Sequence, residues 1–331
     1  MSIHPEPNRR RALGTGAVAG ALLIASLGFA ADQAKAATTA HVQAGTLQIT
    51  GNGASDTLAV TFDPATNRVL LDVGEDGTVD FSFDRSTFTA IDIAAGGGND
   101  DVRVGNAVGP VTIDGGAGSD TLTGGDGADT IVGGAGNDTV TGGRGNDVVQ
   151  LGSGNDTSVW NPGDGSDTID GQDGRDALAF NGSNVGEKMD VSANGPRVRL
   201  FRDVGNVTMD LGGIETLNVK ALGGADTVTV GDLTGTALKH ANVDLSATGG
   251  AGDAAADTVI VNGTARADRV HVTRAGSQVL TTGLAATTTI SGSEAANDRL
   301  QVNTLGGKDT VSVASDVGQL ITPAFDLGAD Q

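Results

Sequence analysis

The sequence predicts an all-β protein, a parallel β-roll or β-helix solenoid with glycine-aspartate turns, on three observations. A nine-residue unit repeats seven times between residues 115 and 179, interrupted once by Trp160 and Asn161. A 16-residue unit with two alternating apolar pairs recurs on both sides of it. Aromatic residues make up only 3% of the 331-residue chain, and Tyr and Cys are absent. A thick globular core is therefore a poor fit and no disulfide can staple the fold; narrow coils stacked on small β-branched side chains suit this composition better.

Taken from its start, the chain opens with Arg9, Arg10 and Arg11, an uncharged segment from Ala12 to Ala31, and the small residues of Ala34-Lys35-Ala36. Residues 1–36 read as a cleaved export signal. Twenty uncharged residues could also span a bilayer, but this run is mostly Ala and Gly and ends in a cleavage-like site. No later segment is apolar enough to cross. The expected location is therefore secreted or at the cell surface, with no stable membrane insertion after cleavage. The arginine pair resembles a twin-arginine signal, although Ala12 stands where a large apolar residue is usual; that route and the general secretory one both remain open. Beyond residue 36 there are 16 basic against 39 acidic residues, a net charge of −23, which argues against nucleic acid as a partner. The acidic residues of the whole chain are 36 Asp and 5 Glu. A solubilising surface has no need of the shorter carboxylate; ligands set in tight turns do.

Residues 37–114 are expected to form an N-terminal β region with a first solenoid coil. Alternating strands are predicted at 46–50, 57–62, 69–73 and 79–83. The segment from Asp72 to Asp80 carries carboxylates at alternate positions, but Phe83 stands where an EF-hand loop needs its bidentate Glu. A plain hairpin turn is expected there.

The nonapeptides of 115–179 run GGAGSDTLT, GGDGADTIV, GGAGNDTVT, GGRGNDVVQ and LGSGNDTSV, then, after Trp160 and Asn161, PGDGSDTID and GQDGRDALA. The fourth residue is always Gly. The sixth is always Asp: Asp120, Asp129, Asp138, Asp147, Asp156, Asp167 and Asp176. Glycine lets the backbone turn through φ > 0, and the short carboxylate can point into the turn, where hard oxygen ligands suit calcium. The eighth residue is an apolar centre (Leu122, Ile131, Val140, Val149, Ile169, Leu178) except for Ser158. Two units make an 18-residue coil, so stacking at roughly 4.8 Å brings Asp120, Asp138 and Asp156 into one column and Asp129 and Asp147 into another. Carboxylates about 5 Å apart repel by about 1 kcal/mol even in water. One apolar residue in nine cannot offset that together with an ordering entropy of about 1–2 kcal/mol per residue. A divalent cation between turns could, and its binding energy would then be folding energy.

This run resembles the RTX, or hemolysin-type, calcium-binding nonapeptide GGxGxDxUx, which forms a parallel β-roll. The resemblance implies calcium in the turns, held by the seven sixth-position aspartates and by glycine-turn carbonyls. Leu151 and Pro162 depart from the first Gly, Gln172 from the second and Ser158 from the apolar centre, and the insertion at Trp160 is expected to break the register. Good sites are expected in units one to five. An N-terminal signal also departs from many RTX proteins, which carry an uncleaved C-terminal one.

Residues 180–331 are expected to be a C-terminal β-solenoid region. The 16-residue unit appears at 89–104, 215–230, 257–272 and 298–313, each with two strands and a six-residue turn closing on Asp100, Asp226, Asp268 or Asp309. Alternation marks inward pairs from Ile91 and Ile93 down to Val311 and Val313. Most of these turns lack tandem glycines, so their aspartates are expected to be solvated. The connectors at roughly 180–210 and 231–256 could be irregular coils of one continuous solenoid.

No paired metal-binding histidines, G-x-S-x-G elbow or P-loop occurs, so no enzyme is expected. The competing expectation is a carbohydrate-active solenoid enzyme, lyase- or hydrolase-like, for which Arg197, Arg199 and Arg202 near Asp203 are the best candidate groove. An arginine-bearing solvent-facing strand is the plainer expectation. Trp160 is expected to cover a coil end or fill a widened core. The function expected is thus a secreted calcium-binding protein, folded by calcium, with a structural or surface-interaction role toward a cell-surface or extracellular polymer.

Overall fold

The computed structural model describes residues 38–328; the expected export signal at 1–36 lies outside them. Among the described residues there is no α-helix, and 28 strands form two sheets of 14 strands each. Each nonapeptide supplies one strand, and successive units alternate between the sheets. Thr112–Ala117, Thr130–Ala135, Val148–Gly154 and Thr168–Gly174 are neighbours in one sheet; Thr121–Asp126, Thr139–Arg144, Thr157–Trp160 and Ala177–Asn181 are neighbours in the other. All of these pair in parallel and in register. Ile113, Ile131, Val149 and Ile169 form one inward row, and Leu122, Val140, Ser158 and Leu178 the facing one. All but Ile113, which precedes the first unit, are eighth-position side chains, and all are buried. Each such burial is worth roughly 1.5–3 kcal/mol for an aliphatic residue, a thin core for so much ordered glycine.

The two-residue insertion does not break the register, contrary to expectation. Val149 pairs with Ile169 and Ser158 with Leu178, so the coil lengthens from 18 to 20 residues while its ladder stays aligned. Trp160 extends its strand and pairs with Phe180. The two rings stack with centroids 4.2 Å apart, and the indole N–H donates to Gly165 O at 2.9 Å. Trp160 is 1% exposed: it fills the widened core. Trp160→Ala is expected to destabilise the protein by about 3–5 kcal/mol, read as a lower denaturation midpoint at fixed calcium.

The 16-residue units lay one strand in each sheet, as their two alternating pairs predict, and their apolar pairs are buried down to Leu300 and Val302. At the last coil Val311 is only partly buried and Val313 is 38% exposed, because its strand is the outermost of its sheet. The strands expected near the N-terminus form Thr46–Asn52, Thr57–Asp63, Arg68–Val73 and Phe81–Asp84. The last two pair antiparallel, so Asp72–Asp80 is a hairpin connection. A second antiparallel meander, Lys188–Asn194, Arg197–Arg202 and Val207–Gly212, lies within one sheet. A third, Arg269–Ala275, Gln278–Thr282 and Thr287–Ser291, lies within the other.

Candidate metal centre

Six of the seven nonapeptide turns are left-handed at both their second and fourth residues, and in the sixth unit only Gly163 is. In the first, Gly116 (φ +96°) and Gly118 (φ +136°) are left-handed, and the carbonyls of Gly96 and Gly98 on the preceding coil crowd the positions their Cβ atoms would take. Only glycine fits so close an approach without strain. The turn then delivers the sixth residue, Asp120, inward at the edge of the next strand, where it is 1% exposed.

The aspartates stand in two columns. The Asp120 N–H donates to Asp138 Oδ1 at 2.8 Å, Asp138 N–H to Asp156 Oδ1 at 2.8 Å, and Asp156 N–H to Asp176 Oδ1 at 2.9 Å. Opposite, Asp129 N–H donates to Asp147 Oδ1 at 2.8 Å and Asp147 N–H to Asp167 Oδ1 at 2.9 Å. All seven aspartates singled out in the sequence are therefore brought together in these columns, those after the insertion included.

One carboxylate oxygen is thus satisfied in each rung and the other is not. Oδ2 of Asp120, Asp129, Asp138, Asp147, Asp156 and Asp176 is buried and accepts no hydrogen bond from the protein. Asp167, 6% exposed, does not share this orphaned oxygen. Burial without a partner penalises the charged form. It pushes Asp129 and Asp167 up to about 7 and Asp138, Asp147 and Asp176 up to about 6, with the amide donors opposing the effect and nearby like charges, in the column or beside it, adding to it. Asp120 and Asp156 are raised for the same reason. An isolated buried carboxylate either protonates or acquires a cation.

The donor set fits a hard cation. A Cβ at residue 115 would stand 2.6 Å from Asp120 Oδ2 and 2.5 Å from Gly133 O, and one at residue 133 would stand 2.7 Å from Asp138 Oδ2. The missing side chains leave carboxylate and carbonyl oxygens converging, with no nitrogen or sulfur among them, which favours calcium over softer-ligand metals. Among the described residues no three His, Cys, Asp or Glu side chains converge on one point, so an ion here would draw on carbonyls as well as on its aspartate. Gly133→Val is expected to weaken calcium binding, since its side chain would enter that oxygen cradle; calcium titration of the variant checks this.

Glu187 shows what such a carboxylate does when the chain supplies a cation. It is 1% exposed, and its amide donates to Asp226 Oδ1 at 2.8 Å, as the repeat aspartates do in their columns. The buried guanidinium of Arg202 pairs with it, Nε donating to Oε1 at 3.0 Å, and the Ser183 N–H donates to Oε2 at 3.3 Å. Arg202 also lies 5.3 Å from the Trp160 ring centroid. The three arginines read as one cluster therefore separate. Arg202 faces the core, while Arg197 pairs outside with Asp170 and Asp210, each at 2.8 Å, and Arg199 with Asp190 at 3.4 Å. They do not line a common groove.

The expectation that the aspartates of the 16-residue units are solvated is also corrected. Asp100, Asp226, Asp268 and Asp309 are 2%, 1%, 6% and 6% exposed, and Oδ1 of Asp100, Asp226 and Asp309 accepts the N–H of Asp56, Glu187 and Asp268 respectively, as in the columns. Strand pairing carries the ladder through coils whose turns lack tandem glycines, a continuity that the glycine count alone concealed.

The architecture and its columns define a parallel β-roll with stacked acidic turns. Residues 112–140, 123–157 and 163–184 match the family model of the RTX calcium-binding nonapeptide repeat, in four copies; these stretches are RTX calcium-binding repeats. No curated protein matches the chain.

Proposed function

We propose that this is a secreted calcium-binding RTX-repeat protein whose folding depends on calcium and whose role is structural or surface-interacting. The observation that carries the reading is the set of buried, unpartnered Oδ2 atoms in two aligned columns. The ligands are Asp120, Asp129, Asp138, Asp147, Asp156, Asp167 and Asp176, completed by turn carbonyls. Calcium binding there neutralises carboxylates that the fold buries and leaves half-satisfied, so the ion contributes to folding free energy. Low cytosolic calcium would leave the chain unfolded until export, and millimolar calcium outside would fold it.

In this reading residues 1–36 are the export signal, 37–114 the N-terminal β region, 115–179 the calcium-binding roll and 180–331 the C-terminal solenoid. No helix among the described residues is long and apolar enough to cross a membrane. The net charge of −21 for the whole chain disfavours nucleic acid and suits a cell-surface or extracellular polymer that calcium can bridge.

Calorimetric titration of the metal-stripped protein tests the proposal. Several ions are expected to bind, with dissociation constants of about 10⁻⁴ to 10⁻³ M as in other extracellular modules, and far-UV circular dichroism is expected to gain β-structure as they do. A spectrum indifferent to both calcium and chelator would overturn it.

A further inference from the structure

Two conformations recur among the turns of the solenoid, and the division between them does not follow the nonapeptide repeats; the turns closing on Asp167 and Asp257 take neither. In one group the second residue's N–H reaches back to the sixth-position carboxylate and satisfies its second oxygen. Asn52 donates to Asp56 Oδ2 at 2.9 Å, Thr264 to Asp268 Oδ2 at 2.7 Å and Glu294 to Asp298 Oδ2 at 2.6 Å, and none of these three second residues is left-handed. Glu187 belongs with them through Ser183 and Arg202.

In the other group the second and fourth residues are both left-handed, as at Gly134 (φ +114°) and Gly136 (φ +135°), and the following carboxylate, here Asp138, keeps an orphaned Oδ2. Three turns outside the matched repeats belong to this group. Gly96 and Gly98 (φ +108° and +99°) precede Asp100, Leu222 and Gly224 (φ +72° and +108°) precede Asp226, and Leu305 and Gly307 (φ +65° and +113°) precede Asp309. Oδ2 of Asp100, Asp226 and Asp309 is buried and accepts no hydrogen bond from the protein, and each residue is at least nine-tenths buried. A left-handed leucine is rare, because its Cβ crowds the backbone, and such strain persists where the surroundings impose it. At the Asp226 turn a second carboxylate is at hand, since the Gly224 N–H donates to Asp253 Oδ2 at 2.9 Å.

We infer that the turns ending in Asp100, Asp226 and Asp309 are further calcium sites, built from one buried carboxylate oxygen and turn carbonyls although Ala95, Ala221 and Thr304 stand where most repeats carry their first glycine, as Leu151 does before Asp156, which keeps its own orphaned Oδ2, and that the turns ending in Asp56, Glu187, Asp268 and Asp298 hold no ion. This rests on the calcium reading of the repeats. The cation series then extends beyond the nonapeptides into the N-terminal and C-terminal coils, and Leu222 and Leu305 hold the shape that glycine holds in the repeats.

Equilibrium dialysis of the full chain at saturating calcium tests the inference by counting ions. Asn keeps Oδ1 as an acceptor, so the ladder bond survives while the second oxygen is removed. Asp226→Asn and Asp309→Asn are each expected to bind one ion fewer than the parent protein, as is the repeat variant Asp138→Asn, whereas Asp298→Asn binds the parental number. Circular dichroism at saturating calcium verifies the fold, and should Asp226→Asn fail to fold, Asp309→Asn on the outermost coil carries the test. A full count in both C-terminal variants with a loss in Asp138→Asn overturns this inference and leaves the repeat sites standing. No loss in any of the three overturns the calcium reading itself, and an ion lost from Asp298→Asn overturns the division between the two kinds of turn.

Discussion

Metal-stripped protein is expected to lose stability as the pH rises from about 4 to about 7, the reverse of ordinary acid denaturation. Unfolded Asp titrates near 3.9, whereas burial holds Asp129 and Asp167 at about 7 and Asp138, Asp147 and Asp176 at about 6 in the fold. Between those values the folded chain binds more protons than the unfolded one, so the slope of stability with pH is negative. The contribution is fully present below about pH 4 and is lost as the pH passes through 6 to 7. Calcium competes with those protons, so its stabilisation should be negligible near pH 4 and largest above pH 7. Thermal melts in metal-stripped and calcium-containing buffer across this range should diverge as the pH rises. Relief of acidic self-repulsion also favours low pH; Asp129→Asn with Asp167→Asn separates the two causes, since it should flatten the metal-free slope. A metal-free stability that climbs with pH in the unaltered protein would be incompatible with neutral, buried aspartates.

Arg202→Leu is expected to cost about 3–5 kcal/mol in chelator, because it strands Glu187 as an uncompensated buried charge. Adding Glu187→Gln to that variant should recover most of the loss, as the amide can still accept from Ser183 and carries no charge. Denaturant unfolding of the two single variants and the double variant gives the coupling directly. A cost below about 1 kcal/mol for the single substitution, within the range of exposed pairs, would mean that water reaches the pair and that Arg202 is no internal substitute for a bound cation.

Periodicity made much of this legible. Gly at position four, Asp at six and an apolar residue at eight encode the turn, the column and the inward row, because side-chain direction alternates along a strand and coils stack at a constant spacing. The pairs Leu217 with Val219 and Val259 with Val261 were readable for the same reason, and all four are buried. Other features were not readable locally. Arg202 sits in a strand whose first two arginines face out; a count of two puts it in phase with the buried Val198 and Leu200, but the carboxylate that pairs with it there, Glu187, comes from a different strand connection and is not visible in that count. The insertion at Trp160 looked like a break, yet the pairing of Trp160 with Phe180 absorbs both residues within one coil.

The repeat spacing alone sufficed for the β-roll, its two acidic columns and the kind of ion they suit, since each follows from which side chains recur in phase. Which aspartate oxygen is left without a donor depended on the packed coils. Leu222 and Leu305 are left-handed although leucine has no intrinsic preference for that backbone, so nothing in the side chain signals it. That handedness goes with the turns whose carboxylate is left bare, and its absence with those that satisfy their own.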